Sequence, residues 1–276
     1  MNSKVVLVTG MHRSGTSVTA QWLYRCGLFI GERLLGPGTG NDDGHFEDAD
    51  FLELHQQLLR NRQLPDTGLT PEPVPGLSLT EQEELGRFIV HKQEGHNQWG
   101  WKEPRTSLFL NDYSQLLPEA YYFVVVRNFN DTVNSLVTRE YKMQEEKISR
   151  KKGLSKLKWK YFKRKTMEQL LQQQAKGFLK TWISYYEQIL FHISLVPPER
   201  LVVISCPQLL HRDKAVFTKL TQQWGLDLHY FSFNHIFKQH YISKPHTVDG
   251  FIKDKTLVAK ARSIEEQLQM KYGIGL

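Results

Sequence analysis

The residues most able to do chemistry stand near the start of the chain. In Gly10-Met11-His12-Arg13-Ser14-Gly15-Thr16-Ser17 two glycines frame four residues, directly after the apolar run Val5-Val6-Leu7-Val8. Glycine permits the tight backbone turn, and the N–H groups of residues 11–17, with a helix dipole behind them, can hold an anion. In a nucleotide triphosphatase with this frame the next residue is a lysine that bridges the β- and γ-phosphates. Thr16 stands there instead, and Arg13 lies inside the loop. The expected ligand therefore carries phosphate but meets its cations elsewhere.

Three further groups offer such cations, or a base. In VVVRNFNDTVNSL, residues 124–136, Arg127 leaves a strand and Ser135 follows eight residues later. A guanidinium there can present a bidentate fork to a phosphate and the hydroxyl can add a bond, while Asp131 is the alternative partner for Arg127. In WGWKEPRT, residues 99–106, Pro104 breaks a short strand and leaves Lys102 and Arg105 at its end, with Glu103 as a possible ion-pair partner. In DDGHFEDADF, residues 42–51, Glu47 and His45 are both able to accept a proton. A carboxylate at such a loop-to-helix junction is equally a helix N-terminal charge.

Taken together, these motifs resemble those of the sulfotransferases that use 3′-phosphoadenosine-5′-phosphosulfate (PAPS), in particular the bacterial and carbohydrate-type members. Residues 10–17 are similar to the family's 5′-phosphosulfate loop, with its Lys or Arg before Ser-Gly-Thr-Thr/Ser. Arg127 and Ser135 match its 3′-phosphate element in order and spacing. The resemblance implies a P-loop NTPase-like three-layer α/β sandwich around a central parallel sheet. It implies that PAPS is the co-substrate and PAP the product, without a metal. On that basis His12, Arg13, Ser14, Gly15, Thr16 and Ser17 bind the 5′-phosphosulfate, and Arg127 and Ser135 the 3′-phosphate. Glu47 becomes the general base, with His45 its rival, because phenol and steroid members use a histidine from a different segment. Lys102 would neutralise charge near the transferring sulfuryl group, Arg105 would support the site, and Arg13 would stabilise the leaving oxygen. The resemblance implies transfer to a hydroxyl or amine of an unidentified acceptor, a carbohydrate, lipid or small molecule. At residues 203–210, VISCPQLL, the acidic pair frequent in relatives is absent. The resemblance covers residues 4–60 and 99–225 more firmly than the last fifty.

The elements that must position these groups follow from periodicity. Residues 4–9 read as a buried strand, 121–126 as a strand apolar on both faces, and 201–205 as another strand. Helices are expected at 16–27, stopped by Gly27, at 46–62, and after a capping box at Thr80–Glu83. Others are expected from Asn130 or Asp131, at 166–195 up to Pro197-Pro198, and at 213–224. Residues 31–44 and the proline-rich 65–75 read as loops. Strands alternating with helices imply a parallel sheet with ligands at its carboxyl edge.

Composition bounds the rest. With 276 residues, 40% of them hydrophobic, the chain can form one large domain, 1–276. It begins in a strand without a secretory segment, and no stretch is long enough to cross a bilayer, so a soluble cytoplasmic protein is expected. Cys26 and Cys206 make no Cys-x-x-Cys pair and read as buried thiols. His91/His96 and His235/His240 are five apart, off the spacing that aligns two imidazoles on one helical face, which argues against a metal. The net charge is +7, yet residues 139–165 alone hold twelve basic residues against three acidic, an excess of nine. This segment, with Tyr141, Trp159, Tyr161 and Phe162 interleaved, reads as a basic, helical insertion that either grips an anionic acceptor or touches a membrane surface, or is a flexible, solvated lobe. No nucleic-acid-binding module is recognisable, so no nucleic-acid partner is expected. Two other classes fit parts of the pattern: a nucleotide kinase or triphosphatase with a displaced lysine, and a non-catalytic relative that binds polyanions or membranes.

Overall fold

The apolar runs become the strands of one parallel sheet. In a computed structural model, which describes residues 3–38, 44–149, 154–238 and 248–274, these are β1 (Lys4–Thr9), β2 (Gln98–Lys102), β3 (Tyr121–Val125) and β4 (Leu201–Ile204). Their order is β2-β1-β3-β4, all parallel, so β1 and β3 are central. Alternation along β1 feeds two cores. Val5 and Leu7 pack with Trp99, Trp101, Tyr122 and Val124 on one face, Val6 and Val8 with Phe123, Val125, Val202 and Ile204 on the other. A sheet covered on both faces has no polar side for its strands, and this explains their unbroken apolar character. The α/β class and layered sheet are those expected from the sequence.

On the second face α1 (Thr16–Arg25) contributes Trp22 and Leu23, and α7 (Cys206–Thr218) contributes Leu209. The first face is covered by α2 (Ala49–Asn61), α3 (Leu79–Gln93) and α4 (Leu110–Leu116), together with α5 (Phe129–Ser149), α6 (Leu154–Ile193) and α8 (Lys255–Tyr272).

Several boundaries differ from the expected ones, each for a local reason. The N-cap of α2 is Asp48, whose carboxylate accepts from the N–H groups of Asp50 and Phe51, so the helix starts three residues after 46. The capping box of α3 is Ser78 with Glu81. Helix α5 starts at Phe129 because the Asn128 side chain takes the N–H of Asp131. Ser205 and Gln208 box the start of α7, seven residues before the expected 213, and a π-helical turn at Lys219–Gln223 completes it. Of the basic segment, residues 139–149 continue α5 and 154–165 open α6, while 150–153 lie outside the described residues, as do 41–43 beside the Glu47 motif. No described helix is long and apolar enough to cross a membrane.

Candidate active site

The carboxyl edge of β1 is shaped by close packing. A Cβ on Gly10 would lie 2.2 Å from the Val125 carbonyl, and one on Gly15 would lie 2.3 Å from the Cys206 Sγ. Both glycines have positive φ, 149° and 100°. The frame thus reflects two close approaches, the β3 backbone against the start of the loop and the Cys206 side chain of α7 against its end. Ser107 pins the entrance: its Oγ accepts the Gly10 N–H at 3.1 Å and lies 2.7 Å from the Thr9 hydroxyl.

Arg13 adopts φ 69°, a left-handed conformation that costs a residue with a Cβ about 1–2 kcal/mol. It directs the guanidinium to α5, where Arg13 Nε donates to Ser135 Oγ at 2.9 Å. Arg127 returns the contact, its Nη1 donating to the Arg13 carbonyl at 3.0 Å. The glycine loop and the Arg127/Ser135 element therefore form one continuous surface. Asp131 stands 3.6 Å from Arg127 Nε, so that ion pair coexists with the loop contact. Tyr186 of α6 clamps the Arg127 backbone, accepting its N–H at 2.7 Å and donating to its carbonyl at 2.8 Å.

The cation missing from the loop arrives from the neighbouring strand. Parallel pairing sets Lys102 beside Val8, and Lys102 Nζ donates to Ser17 Oγ at 3.0 Å, to the His45 carbonyl at 2.9 Å and to Glu47 Oε1 at 2.8 Å. An ammonium has three donors, and here each has an acceptor. The Lys102 side chain is 1% exposed, and burying such a charge requires this full set of partners. His45 Nδ1 lies 4.0 Å from the same Glu47 oxygen. Burial, ahead of the opposing pull of Glu47, lowers the proton affinity of His45 below the ordinary imidazole range.

Arg105 serves the scaffold. It pairs with buried Glu103 and donates to the Asp66 carbonyl at 2.7 Å. Glu103 also meets His55 Nδ1 at 2.6 Å, and His55 Nε2 meets the Tyr113 hydroxyl at 2.8 Å. Burial alone would raise Glu103, but Arg105 and then His55 outweigh it and hold the carboxyl low.

Three features suit the loop to an anion. Helix α1 has no side-chain cap and no acidic residue in its first turn, whereas Asp48, Ser78, Ser205 and Asp254 cap other helices. Its first N–H groups and its dipole are therefore available to a ligand. Buried Ser14 Oγ and His12 Nε2 have no hydrogen-bond partner. Burial, followed by Arg139 and Arg127, brings Arg13 down to about 10, which leaves it charged at neutral pH. Burial and then Arg105 keep His12 neutral.

The bonds thus join Arg13 to Ser135 and Arg127, and Ser17 through Lys102 to Glu47 and the His45 carbonyl, whereas Arg105 faces the scaffold. Sequence reasoning missed Ser107, Tyr186 and the direct Arg13–Ser135 bond, because each depends on a contact between distant segments. Arg139, one helical turn beyond Ser135, counted only as part of the basic segment.

No family model matches the chain, and no curated protein matches it in sequence. Solved structures do match. The sulfotransferase STF9 from Mycobacterium avium aligns with 99% of this chain and 77% of its own at 13% identity, TM-score 0.58. The sulfotransferase domain of the Synechococcus PCC 7002 olefin synthase aligns with 100% and 96% at 16% identity, TM-score 0.48. The sulfotransferase STF1 from Mycobacterium tuberculosis H37Rv aligns with 95% and 77% at 15% identity, TM-score 0.49. The likeness to STF9 shows a shared fold.

Proposed function

We propose that the chain is a sulfotransferase that moves a sulfuryl group from PAPS to a hydroxyl or amine. The observation that carries this reading is the pair of bonds joining Arg13 to Ser135 and Arg127 to the Arg13 carbonyl. They unite a lysine-less phosphate loop with a second anion element, the arrangement that a nucleotide bearing phosphate at both ends of its ribose requires. Residues 12–17 hold the 5′-phosphosulfate and Arg127 with Ser135 the 3′-phosphate, which distinguishes PAPS from ATP.

PAPS supplies an activated sulfur bonded to the 5′-phosphate through oxygen. The acceptor oxygen or nitrogen forms the new bond to sulfur, the bridging S–O bond breaks with its electron pair, and PAP departs. Arg13 stabilises the charge that grows on the leaving phosphate. Glu47 accepts the acceptor proton, oriented by Lys102; His45, beside the same carboxylate oxygen, is its rival. The single-domain organisation and an anionic acceptor served by the basic segment belong to the same proposal.

The test is a thermal-shift comparison of PAP, AMP and ATP. PAP at a hundredfold excess over its Kd adds about 2.7 kcal/mol to folded-state stability; AMP and ATP at equal concentration add less. Equal shifts for PAP and AMP would remove the 3′-phosphate site and with it the reading. A displaced-lysine kinase is the second reading, favoured by the Lys102–Ser17 bond; magnesium-dependent ATP turnover with no preference for PAP selects it.

A further inference from the structure

Helix α5 runs past the glycine loop, bonded to it through Ser135. Its four-residue steps, each about 6 Å, carry Asp131, Ser135 and Arg139 on one face, starting from Arg127 just before the helix. Arg127 marks the 3′-phosphate end, and Ser135 already reaches the loop through Arg13. Arg139 lies one step further, away from the 3′-phosphate end.

The cations of this cluster differ in what they hold. Lys102 is committed to Glu47, Ser17 and the His45 carbonyl. Arg105 is committed to Glu103 and the Asp66 carbonyl, and Arg127 to Asp131 and the Arg13 carbonyl. Among the described residues, Arg139 is the cation of the cluster whose Nε is buried with no hydrogen-bond partner. A buried donor of this kind is unfavourable until a partner arrives. Its field is felt by Arg13, His12 and His45, and after its neighbour Glu140 it feels Arg105 and then Glu47. Of these, His12 and Arg13 belong to the loop and His45 and Glu47 to the segment facing it, and the sulfuryl group of the proposed reaction passes between the two.

We propose that Arg139 donates to the non-bridging oxygens of the sulfuryl group and holds it in line between the 5′-phosphate and the acceptor. The proposal rests on the sulfuryl-transfer reading above and adds to it a catalytic residue that touches the group in flight. A planar guanidinium suits this task, because the charge of a transferring sulfuryl group is spread over its oxygens, as in phosphoryl transfer.

The test separates sulfuryl contacts from nucleotide contacts. PAP and PAPS affinities are measured by calorimetry on the wild type, Arg139→Gln and Arg139→Lys, with acceptor-free hydrolysis of PAPS to PAP and sulfate as the reaction. There water donates the oxygen, the S–O bond to the 5′-phosphate breaks, and a proton is released. In Arg139→Gln the Kd for PAP should stay within about threefold, that for PAPS should rise towards it, and hydrolysis should fall roughly tenfold to a hundredfold. Arg139→Lys, which keeps the charge but loses the fork, should recover part of both. Equal weakening of PAP and PAPS would place Arg139 on the nucleotide and overturn the proposal, as would unchanged PAPS affinity and hydrolysis in Arg139→Gln. Wild-type protein with no affinity for either nucleotide would overturn the sulfuryl-transfer reading itself, and this contact with it.

Discussion

Individual side chains divide into those that meet charge and those that hold others still. In the proposed reaction Arg13 stabilises the leaving phosphate, so Arg13→Ala should lower kcat about a hundredfold or more. On the same proposal Arg127→Ala removes a charge-assisted bond to the 3′-phosphate, a group that does not react. KM for PAPS should rise roughly tenfold to a hundredfold with a much smaller change in kcat, and calorimetry with PAP should show the same loss. PAP binding unchanged in Arg127→Ala would make the assignment of that arginine wrong. Glu47→Gln and His45→Gln separate the two candidate bases: a large loss of kcat with PAP affinity retained identifies the one that takes the proton. The types of these residues were legible in the sequence because loop chemistry is local. The pairing of Lys102 with Glu47, which engages every donor of the ammonium, was not, since it joins β2 to a loop 55 residues away.

At the level of elements, helix ends and strand ends decide the geometry. Strands β1 and β3 and the helices behind them follow directly from apolar runs and caps. The docking of α8, an element outside the expected set, follows from neither. Its Glu265 accepts the Phe129 N–H at 2.8 Å and so braces the start of α5, next to Arg127. Burial pushes Glu265 up, and although the Phe129 bond opposes this, Asp249 adds to it and the carboxyl sits at about 7. A carboxyl raised on folding favours the folded state fully below its unfolded value of 4.5 and loses that contribution as pH rises through about 7. Glu265→Gln should therefore match the wild type in urea unfolding at pH 4.5 and exceed it increasingly up to pH 8. A constant gap across that range would show that ionisation of Glu265 is not the cause. At the other wall of the loop, Gly15→Ala should abolish PAP binding, because a Cβ there meets the Cys206 Sγ at positive φ.

Across the whole molecule the charge is uneven, since the excess of nine in residues 139–165 exceeds the net +7 of the chain. Replacing the lysines at 156, 158, 160, 163 and 165 with glutamine should weaken cosedimentation with phosphatidylserine vesicles at low salt and leave PAP binding intact. Binding that persisted at 1 M salt would not be electrostatic, because the Debye length there is only about 3 Å. The sequence by itself determined the α/β alternation, the glycine loop with its arginine, and the Arg127–Ser135 spacing, because these are short-range patterns imposed by backbone sterics and burial. Tertiary structure alone decided which hydroxyl and which carboxylate Lys102 meets, and that two arginines 114 residues apart share a bond. Strand order and helix docking set those distances, and no local sequence pattern encodes them.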